Sequence, residues 1–365
     1  MRCALGLEDG TVFVGRGFGC EGTATGEVVF NTALSGYQEI LTDPSYCGQI
    51  VTMTAPLIGN CGVNTADSES TGQHLSGFVV RELARLHSNH RASGTLDDFL
   101  QAAGIIGLAE IDTRALTKRL RTCGALRGVI STEIDDPVKL IERARAASEM
   151  IGQNLADRVM AKEGSNWPAE SGAGQFNVVA LDCGIKHNIL KRLNAAGCSV
   201  RVLRGDSPAD TILRSEPDGI LVGNGPGDPA AVTQTVSTLR ELVGRLPIFG
   251  ICLGHQLLAL SLGAKTYKLK FGHHGANHPV LNLDGRRVEI TSQNHGFAVD
   301  RESLEQVGAR ATHVSLYDDS LEGFSCDDKR LFAVQYHPEA APGPHDSDYL
   351  FGQFVAMMRR HSPPT

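Results

Sequence analysis

The sequence is poor in aromatic residues and has no excess of basic charge. Phe, Trp and Tyr make up 5% of the 365 residues, with one Trp, and 34 basic side chains stand against 41 acidic ones for a net charge of −7. A nucleic-acid-binding surface needs a basic groove that follows phosphates and aromatic rings on which bases stack. We therefore expect no nucleic-acid partner.

Signals for export and for membrane insertion are also missing. The first ten residues reach Glu8, Asp9 and Gly10 before an apolar run of signal-peptide length can form. No later stretch approaches the about 20 apolar residues that span a bilayer. We expect a protein that is neither exported by that route nor embedded in a membrane.

The nine cysteines lack the spacing of a disulfide framework or a zinc site. Their number is odd, they are scattered, and no two are spaced Cys-x-x-Cys, whereas disulfide-rich domains and zinc sites carry paired cysteines. A reducing compartment fits this pattern best. We therefore expect a cytoplasmic protein.

The chain is long enough for two domains of different character. Short strands and capped helices fill residues 1–152, which we interpret as an α+β domain. Periodicity is lost over residues 153–174, where Gly, Pro and Ser are frequent, and we predict a linker there. In residues 175–365, continuous apolar strands alternate with helices, which predicts an α/β domain with a mainly parallel open sheet flanked by helices.

Local patterns predict particular elements. In the first domain, Thr95, Asp112 and Pro137 are predicted to begin helices, and strands are predicted at residues 27–30 and 49–53. In the second domain, strands are predicted at 176–181, 199–203, 219–222 and 247–251, and helices at 188–196, 255–262 and 349–359.

A cysteine stands at a predicted junction between a strand and a helix, in the segment Pro247-Ile-Phe-Gly-Ile-Cys-Leu-Gly-His-Gln256. Such a nucleophile elbow strains the backbone of Cys252, and Gly250 and Gly254 avoid collisions with the neighbouring strand and helix. The amino end of the helix favours a thiolate, and the Leu253 amide points to where an oxyanion would form. A cysteine is ordinarily a small buried hydrophobe, but this context predicts a catalytic nucleophile.

An imidazole and a carboxylate follow another apolar strand, in the segment Leu331-Phe-Ala-Val-Gln-Tyr-His-Pro-Glu339. His337 would move protons to and from the nucleophile, and Glu339 would orient the imidazole. Taken alone, a histidine at a strand end is more often structural. With Cys252, the pair predicts a catalytic triad.

A glycine-rich loop follows a third strand, in the segment Leu221-Val-Gly-Asn-Gly-Pro-Gly-Asp-Pro229. By itself such a loop usually only turns the chain. Here it lies at the carboxyl edge of the predicted sheet, where open α/β sheets bind ligands. We therefore predict that Gly225 and Gly227 present backbone amides to a ligand.

The segments Gly-Ile-Cys-Leu-Gly-His-Gln, Asn-Gly-Pro-Gly-Asp-Pro and Tyr-His-Pro-Glu together resemble the triad-type, class I glutamine amidotransferases. Residues 26–46 resemble the N-terminal domain of carbamoyl phosphate synthetase small subunits, and residues 271–279 and 292–297 are similar to that family too. The resemblance covers nearly the whole chain. It implies a class I glutamine amidotransferase-like fold for the second domain.

The resemblance also implies roles for individual residues. Cys252 would be the nucleophile, with His337 and Glu339 completing the triad. Ser45 follows Asp-Pro and would otherwise be interpreted as a turn former, so its assignment rests on the resemblance. The residues implied in glutamine binding are Ser45, Gly225, Gly227, Leu253, Gln256, Asn294, Gly296 and Phe297.

Two features complicate the resemblance. Cys183 and His187 stand where the commoner family form has Phe and Arg, so contacts around the first strand of the second domain are expected to differ. His273, His274 and His278 lie close together in the sequence, but no carboxylate or cysteine is clustered with them. We predict no metal in this chain.

The resemblance further implies that the chain hydrolyses L-glutamine to glutamate and ammonia through a cysteine thioester. Ammonia would pass through a tunnel to a large subunit, which makes carbamoyl phosphate from bicarbonate and ATP for arginine and pyrimidine biosynthesis. The sequence has no G-x-x-x-x-G-K-[ST] loop. We therefore expect no cofactor in this chain, ATP and a divalent metal in the large subunit, and a heterodimer or higher oligomer of the two.

The triad alone leaves other interpretations open. One is a stand-alone γ-glutamyl hydrolase, and another is the amidotransferase subunit of a different synthetase. A free hydrolase has no evident use for a further domain over residues 1–152. A third interpretation is a scaffold that kept the fold and lost the activity. The presence of all three triad residues, Cys252, His337 and Glu339, argues against it.

Overall fold

The computed structural model describes residues 1–170 and 174–361, and the chain divides into two compact units. The first comprises Met1–Gln153 and Lys270–Gly275, and the second comprises Asn154–Leu269 and Ala276–Thr365. The sequence did not indicate that Lys270–Gly275 belongs to the first unit, because this grouping depends on contacts between residues that are far apart in the chain.

The first unit is built around a closed barrel with the strand order β1-β2-β8-β6-β4-β3-β9. Pairs among β3, β4, β6 and β8 are parallel, and the remaining pairs of the barrel are antiparallel. The strands of this unit are β1 (Arg2–Leu7), β2 (Val12–Gly19), β3 (Thr23–Asn31), β4 (Gln49–Met53), β5 (Leu57–Ile58), β6 (Gly77–Val79), β7 (Glu82–Leu83), β8 (Ile106–Ala109) and β9 (Leu126–Ser131).

Three helices of the first unit begin where the sequence predicted. The Thr95 side chain accepts a hydrogen bond from the Asp98 amide, and the Asp112 side chain accepts one from Ala115. Pro137 occupies the first position of its helix, where its missing N–H costs nothing. These helices are α2 (Leu96–Ala103), α3 (Thr113–Cys123) and α4 (Pro137–Arg145), and a further helix that was not predicted is α1 (Tyr37–Thr42).

The second unit is a sheet with helices on both faces, as predicted. Its strands are β10 (Ser165–Trp167), β11 (Phe176–Asp182), β12 (Cys198–Arg204), β13 (Gly219–Val222), β14 (Ile248–Ile251), β15 (Thr266–Asn282), β16 (Arg287–Val299), β17 (Arg310–Ser315), β18 (Leu321–Cys326) and β19 (Leu331–Val334). Its helices are α5 (Ala156–Val159), α6 (His187–Ala195), α7 (Ala209–Leu213), α8 (Thr233–Leu242), α9 (Leu253–Leu262), α10 (Arg301–Gln306) and α11 (Tyr349–His361).

The centre of this sheet is parallel, in the order β12-β11-β13-β14-β19. Antiparallel strands extend it on either side, with β10 next to β12 and β18, β17, β15 and β16 beyond β19. Alternate residues of β11 face opposite sides of the sheet. Val179 packs in an apolar cluster with Leu239 of α8 and Leu257 of α9, and Val178 packs with Ile189 of α6 and Phe354 of α11.

The segment predicted as a linker, residues 153–174, contains regular structure. It carries α5, and β10 pairs antiparallel with β12 at the edge of the sheet. Elements of three or four residues are too short to show a periodicity, so the sequence pattern missed them. Residues 171–173 of the predicted linker lie outside the described residues.

Two further observations concern the chain as a whole. All nine cysteines lie within the described residues and are free thiols. None of the helices that the structure describes is both long enough and apolar enough to cross a membrane.

Candidate active site

The site lies at the carboxyl edge of the parallel strands, because parallel strands end at one edge of their sheet. Cys252 directly follows β14, and His337 lies three residues beyond the end of β19. These two strands are neighbours, with Ile251 opposite Val334. The Cys252 amide donates to the Val334 carbonyl oxygen at 2.9 Å. Strand pairing therefore brings together two segments that are far apart in the sequence.

Cys252 has the strained backbone that the elbow motif predicted. Its φ is 53° and its ψ is −105°, a conformation that is costly for a residue with a side chain. A Cβ on Gly254 would lie 2.1 Å from the Val222 carbonyl oxygen, and one on Gly250 would lie 2.5 Å from the Leu258 side chain. The predicted collisions with strand and helix are confirmed. The two glycines allow the sharp turn that presents the sulfur at the sheet edge.

The imidazole of His337 is held by Glu339. Nδ1 of His337 lies 2.7 Å from Oε1 of Glu339, and the exposures of the two residues are 2% and 0%. The His337 amide donates to the Ser292 carbonyl oxygen at 2.9 Å. Nε2 has no hydrogen-bond partner among the described residues. The Cys252 sulfur is nevertheless close enough to raise the pKa of His337. The ring thus has Glu339 on one side and the sulfur within reach of the other.

Charge in the site is arranged to favour an imidazolium. Burial lowers the pKa of His337, but the Glu339 carboxylate and the Cys252 sulfur outweigh it and raise the pKa well above its ordinary value. Burial raises the pKa of Glu339, but the positive charges of Lys186 and His337 lower it below its ordinary value. A protonated His337 beside the sulfur stabilises negative charge there.

Lys186 completes the charged cluster and was missed by sequence analysis. Its Nζ lies 2.9 Å from Oε1 of Glu339 and 2.7 Å from the Ala340 carbonyl oxygen. Its backbone amide donates to Oδ1 of Asn224 at 3.0 Å. Lys186 follows β11, the first parallel strand, so the rule that pointed to His337 at the end of β19 could have found it.

Two of the implied glutamine-binding positions lie beside the nucleophile. The Asn294 carbonyl oxygen is 3.5 Å from Sγ of Cys252, in position to accept from the thiol. A Cβ on Gly225 would lie 2.8 Å from the Leu253 side chain and 2.1 Å from the Cys183 carbonyl oxygen. The glycine loop therefore packs directly against the start of α9, with no space for a side chain.

Gln256 is engaged inside the protein. Its Nε2 donates to the Phe297 carbonyl oxygen at 2.8 Å and to Oε1 of Gln335 at 3.0 Å. Since a side-chain amide has two hydrogens, both are committed, and Gln256 can meet a substrate only through Oε1 or its backbone. Gln335 was also missed by the sequence analysis.

Lys268 is a further cation close to the implied glutamine site. Its Nζ lies 4.9 Å from the centroid of the Phe297 ring, within the range of a cation–π interaction. The same Nζ would be 2.8 Å from a Cβ on Gly296. These contacts place the lysine against Gly296 and Phe297 of β16, and no sequence motif marked it.

All the assignments of glutamine ligands stay predictions, including those of Ser45 and Gly227. Ser45 lies in the first unit, in the short 3-10 helix Pro44–Tyr46, and is buried. Gly227 has a φ of 95°, a conformation that favours glycine. The absence of a metal at His273, His274 and His278 also stays a prediction.

The two positions that depart from the commoner family form have ordinary packing partners. Cys183 is buried in the apolar cluster beneath α8 and α9, and burial raises the pKa of its thiol. The His187 ring lies 5.4 Å from the Trp167 ring, between centroids. Both side chains are thus accounted for by packing within the second unit.

Comparison with known proteins places both parts of the chain. Residues 179–357 match the family model "Glutamine amidotransferase class-I", and residues 5–130 match "Carbamoyl-phosphate synthase small chain, CPSase domain". The carbamoyl phosphate synthase small chain of Chlorobaculum tepidum is 55% identical over 98% of this chain and 97% of the relative. That of Syntrophotalea carbinolica is 50% identical over 99% of each.

A third relative, the carbamoyl phosphate synthase small chain of Thermosynechococcus vestitus, is 52% identical over 98% of this chain and 96% of its own length. The family and the fold class inferred from the sequence are confirmed by these matches. The chain therefore belongs to the carbamoyl phosphate synthase small chain family, whose amidotransferase domain hydrolyses glutamine.

Proposed function

We propose that this chain hydrolyses L-glutamine through a γ-glutamyl thioester on Cys252 and delivers the ammonia to a large subunit. One observation carries the proposal. A strained cysteine at a strand-to-helix junction lies beside a buried imidazole whose other nitrogen is 2.7 Å from Glu339. A nucleophile, a proton carrier and an orienting carboxylate in this arrangement are suited to acyl transfer.

The first half-reaction breaks the amide. The Cys252 thiolate attacks the side-chain carbonyl carbon of glutamine, and the C–S bond forms as the carbonyl electrons move to oxygen. The Leu253 amide and a backbone amide of the Gly225 loop stabilise this oxyanion. The His337 imidazolium then gives its proton to the nitrogen, the C–N bond breaks, and ammonia leaves.

The second half-reaction releases glutamate. Neutral His337 takes a proton from water, and the hydroxide so generated attacks the thioester carbon. The C–S bond breaks, glutamate leaves, and the thiolate and imidazolium are restored. Glu339 stabilises the imidazolium at each stage, and Lys186 keeps Glu339 ionised in its buried position.

The partner and setting are part of the proposal. The relatives are named small chains, and the sequence has no phosphate-binding loop of the G-x-x-x-x-G-K-[ST] type. We propose that a large subunit holds ATP and a divalent metal and makes carbamoyl phosphate from bicarbonate, for arginine and pyrimidine biosynthesis. The two chains would form a heterodimer or a higher oligomer in the cytoplasm, where the nine free thiols of this chain would stay reduced.

The test is co-purification from the native cell, followed by assays of the complex. We expect a larger ATP-binding chain to accompany the protein. We expect Cys252→Ser to abolish carbamoyl phosphate synthesis from glutamine while added ammonium still supports it. A protein that purifies alone and whose glutamine hydrolysis is insensitive to a large subunit would instead be a stand-alone hydrolase.

A further inference from the structure

A line of buried amide groups ends at the sulfur of Cys252. It begins at the Phe297 carbonyl oxygen, passes through the side chain of Gln256 and continues to Gln335 with distances of 2.8 and 3.0 Å. Nε2 of Gln335 lies 3.8 Å from Sγ of Cys252. Exposure is 3% for Gln256, 0% for Gln335 and 2% for Cys252. Water therefore does not compete for these groups.

The direction of each amide follows from its neighbours. The nitrogen end of Gln256 lies between two oxygen acceptors, so it must donate to both. Gln335 must then turn its oxygen towards Gln256, which leaves its nitrogen facing the sulfur. The carbonyl of Phe297 thus fixes, through two side chains, a hydrogen-bond donor next to Cys252.

The sulfur has a different partner in the Asn294 carbonyl oxygen at 3.5 Å. A thiol can donate its hydrogen to that oxygen. A thiolate has no hydrogen to donate, but it accepts a bond from Gln335, and bonds to an ionised acceptor are stronger than bonds to a neutral one. The donor from Gln335 therefore favours the ionised sulfur.

We propose that Gln335 is a positioning residue that stabilises the thiolate of Cys252, in addition to the imidazolium of His337. Gln335 lies two residues before His337 and follows β19 directly. A single strand end thus supplies both groups to the sulfur. This inference rests on the proposed role of Cys252 as nucleophile.

The variant that tests it is Gln335→Met, which keeps the length of the side chain and removes the donor. Without the donor, the ionised sulfur loses one of the bonds that stabilise it. We expect the acid limb of the pH profile for inactivation by a chloromethyl ketone analogue of glutamine to move up by about one pH unit. This shift is a tenfold slower inactivation on that limb, or about 1.4 kcal/mol, close to the lower end of what a hydrogen bond to a charged group contributes.

The surrounding titratable groups are unchanged in this variant. His255 stays neutral over the working range, because burial lowers its pKa to about 3. A shift of the acid limb therefore reports the lost amide. The titratable residues that contact the sulfur or Gln335 are His337 after β19, His255 of α9 and Glu322 of β18. Behind them, Glu339 and Lys186 contact His337 and one another, and His295 of β16 lies against Glu322.

A matched control is Gln293→Met. Gln293 is 2% exposed, and its amide donates to Glu322 and Thr291 instead of to sulfur. We expect both substitutions to reduce stability and only Gln335→Met to move the acid limb. If Gln335→Met does not fold, Gln335→Leu serves, since it also removes the donor and adds no charge. An upward shift of the limb with Gln335→Leu equally supports the inference.

Failure of this inference is separable from failure of the proposed function. If the Gln335 variants change only the affinity for the inactivator and their acid limb coincides with the wild type, Gln335 has a merely structural role and the inference is overturned. If Cys252→Ser is inactivated at the wild-type rate, the nucleophile itself is wrongly assigned, which overturns both.

Discussion

Nζ of Lys186 lies 2.9 Å from Oε1 of Glu339, and side-chain exposure is 3% for the lysine and 0% for the glutamate. The same carboxylate oxygen lies 2.7 Å from Nδ1 of His337. Burying two opposite charges as a pair costs less free energy than burying one of them without its partner. Lys186 therefore keeps Glu339 ionised, and Glu339 in turn orients His337, the proposed general acid and base.

Lys186→Met should be strongly destabilising. The substitution leaves the Glu339 carboxylate buried without its ammonium partner, which costs about 3–5 kcal/mol. The measurement is the free energy of unfolding from denaturant titration. Lys191→Met is the matched control, because Lys191 is an exposed residue of α6, and its effect should stay within about 0.5 kcal/mol. Equal effects of the two substitutions would contradict a structural role for the buried pair.

The stabilisation that comes from ionised Glu339 should disappear in acid. Since its pKa is lowered in the folded protein from 4.5 to about 2, its contribution is complete above the unfolded-state value and is lost as pH falls towards the folded-state value. Comparing wild type with Glu339→Gln by denaturant titration should show a stability difference that shrinks between about pH 5 and pH 2. A constant difference across that range would show that the carboxylate is not selectively ionised in the folded state.

The His337 imidazole should remain protonated where an ordinary histidine, with a pKa of about 6.5, has lost its proton. The neighbouring Glu339 carboxylate is the leading cause that raises its pKa. Nitrogen NMR of histidine-labelled protein should show the imidazolium of His337 above pH 7, and Glu339→Gln should bring its titration to lower pH. The Cys252→Ser protein should show a downward shift as well, since the sulfur also raises the pKa.

Gly254→Ala should damage both stability and glutamine hydrolysis. The new methyl group would meet the Val222 carbonyl oxygen at 2.1 Å, so β13 or α9 must move. We expect a loss of about 1–3 kcal/mol in the free energy of unfolding and about a 100-fold loss of activity from misplacement of Cys252.

Gly352→Ala is the control for Gly254→Ala. Gly352 lies in α11, and a methyl group there would have no described atom within 4 Å beyond its chain neighbours and the backbone of its own helix. Alanine is also the better helix former. We expect a gain of about 0.5–1 kcal/mol with activity unchanged. A loss of stability at both positions would show that close packing is not what requires glycine at 254.

Features set by nearby residues could be predicted from the sequence. Thr95 and Asp112 cap helices because their side chains accept from amides three residues later. The strands Gln49–Met53 and Gly219–Val222 lie at the predicted residues. The helix after Cys252 begins at Leu253 and not at His255 as predicted, because the strained cysteine completes the turn by itself.

Features set by distant residues could not be predicted. Closure of the barrel requires β9 to pair with both β1 and β3, and no local pattern carries that information. Helix α8 was also missed, since three of its ten residues are Thr, which has weak helix propensity.

The same distinction between nearby and distant residues applies to the candidate site. The roles of Cys252 and the pair His337 and Glu339 could be proposed from short motifs, because each motif contains its own chemistry. Lys186 and Gln335 reach the site from the ends of β11 and β19. Their partners are known only once the order of the strands is known, so the sequence alone did not single them out.

The proposed reaction requires a covalent bond between Cys252 and the substrate. The direct measurement is an acid quench of the protein during turnover of isotope-labelled glutamine, followed by mass spectrometry of its peptides. We predict one labelled glutamyl group on the peptide that contains Cys252, and neither label nor glutamine hydrolysis in Cys252→Ser. Hydrolysis at the wild-type rate by Cys252→Ser, or a glutamyl group on a different residue, would contradict the account.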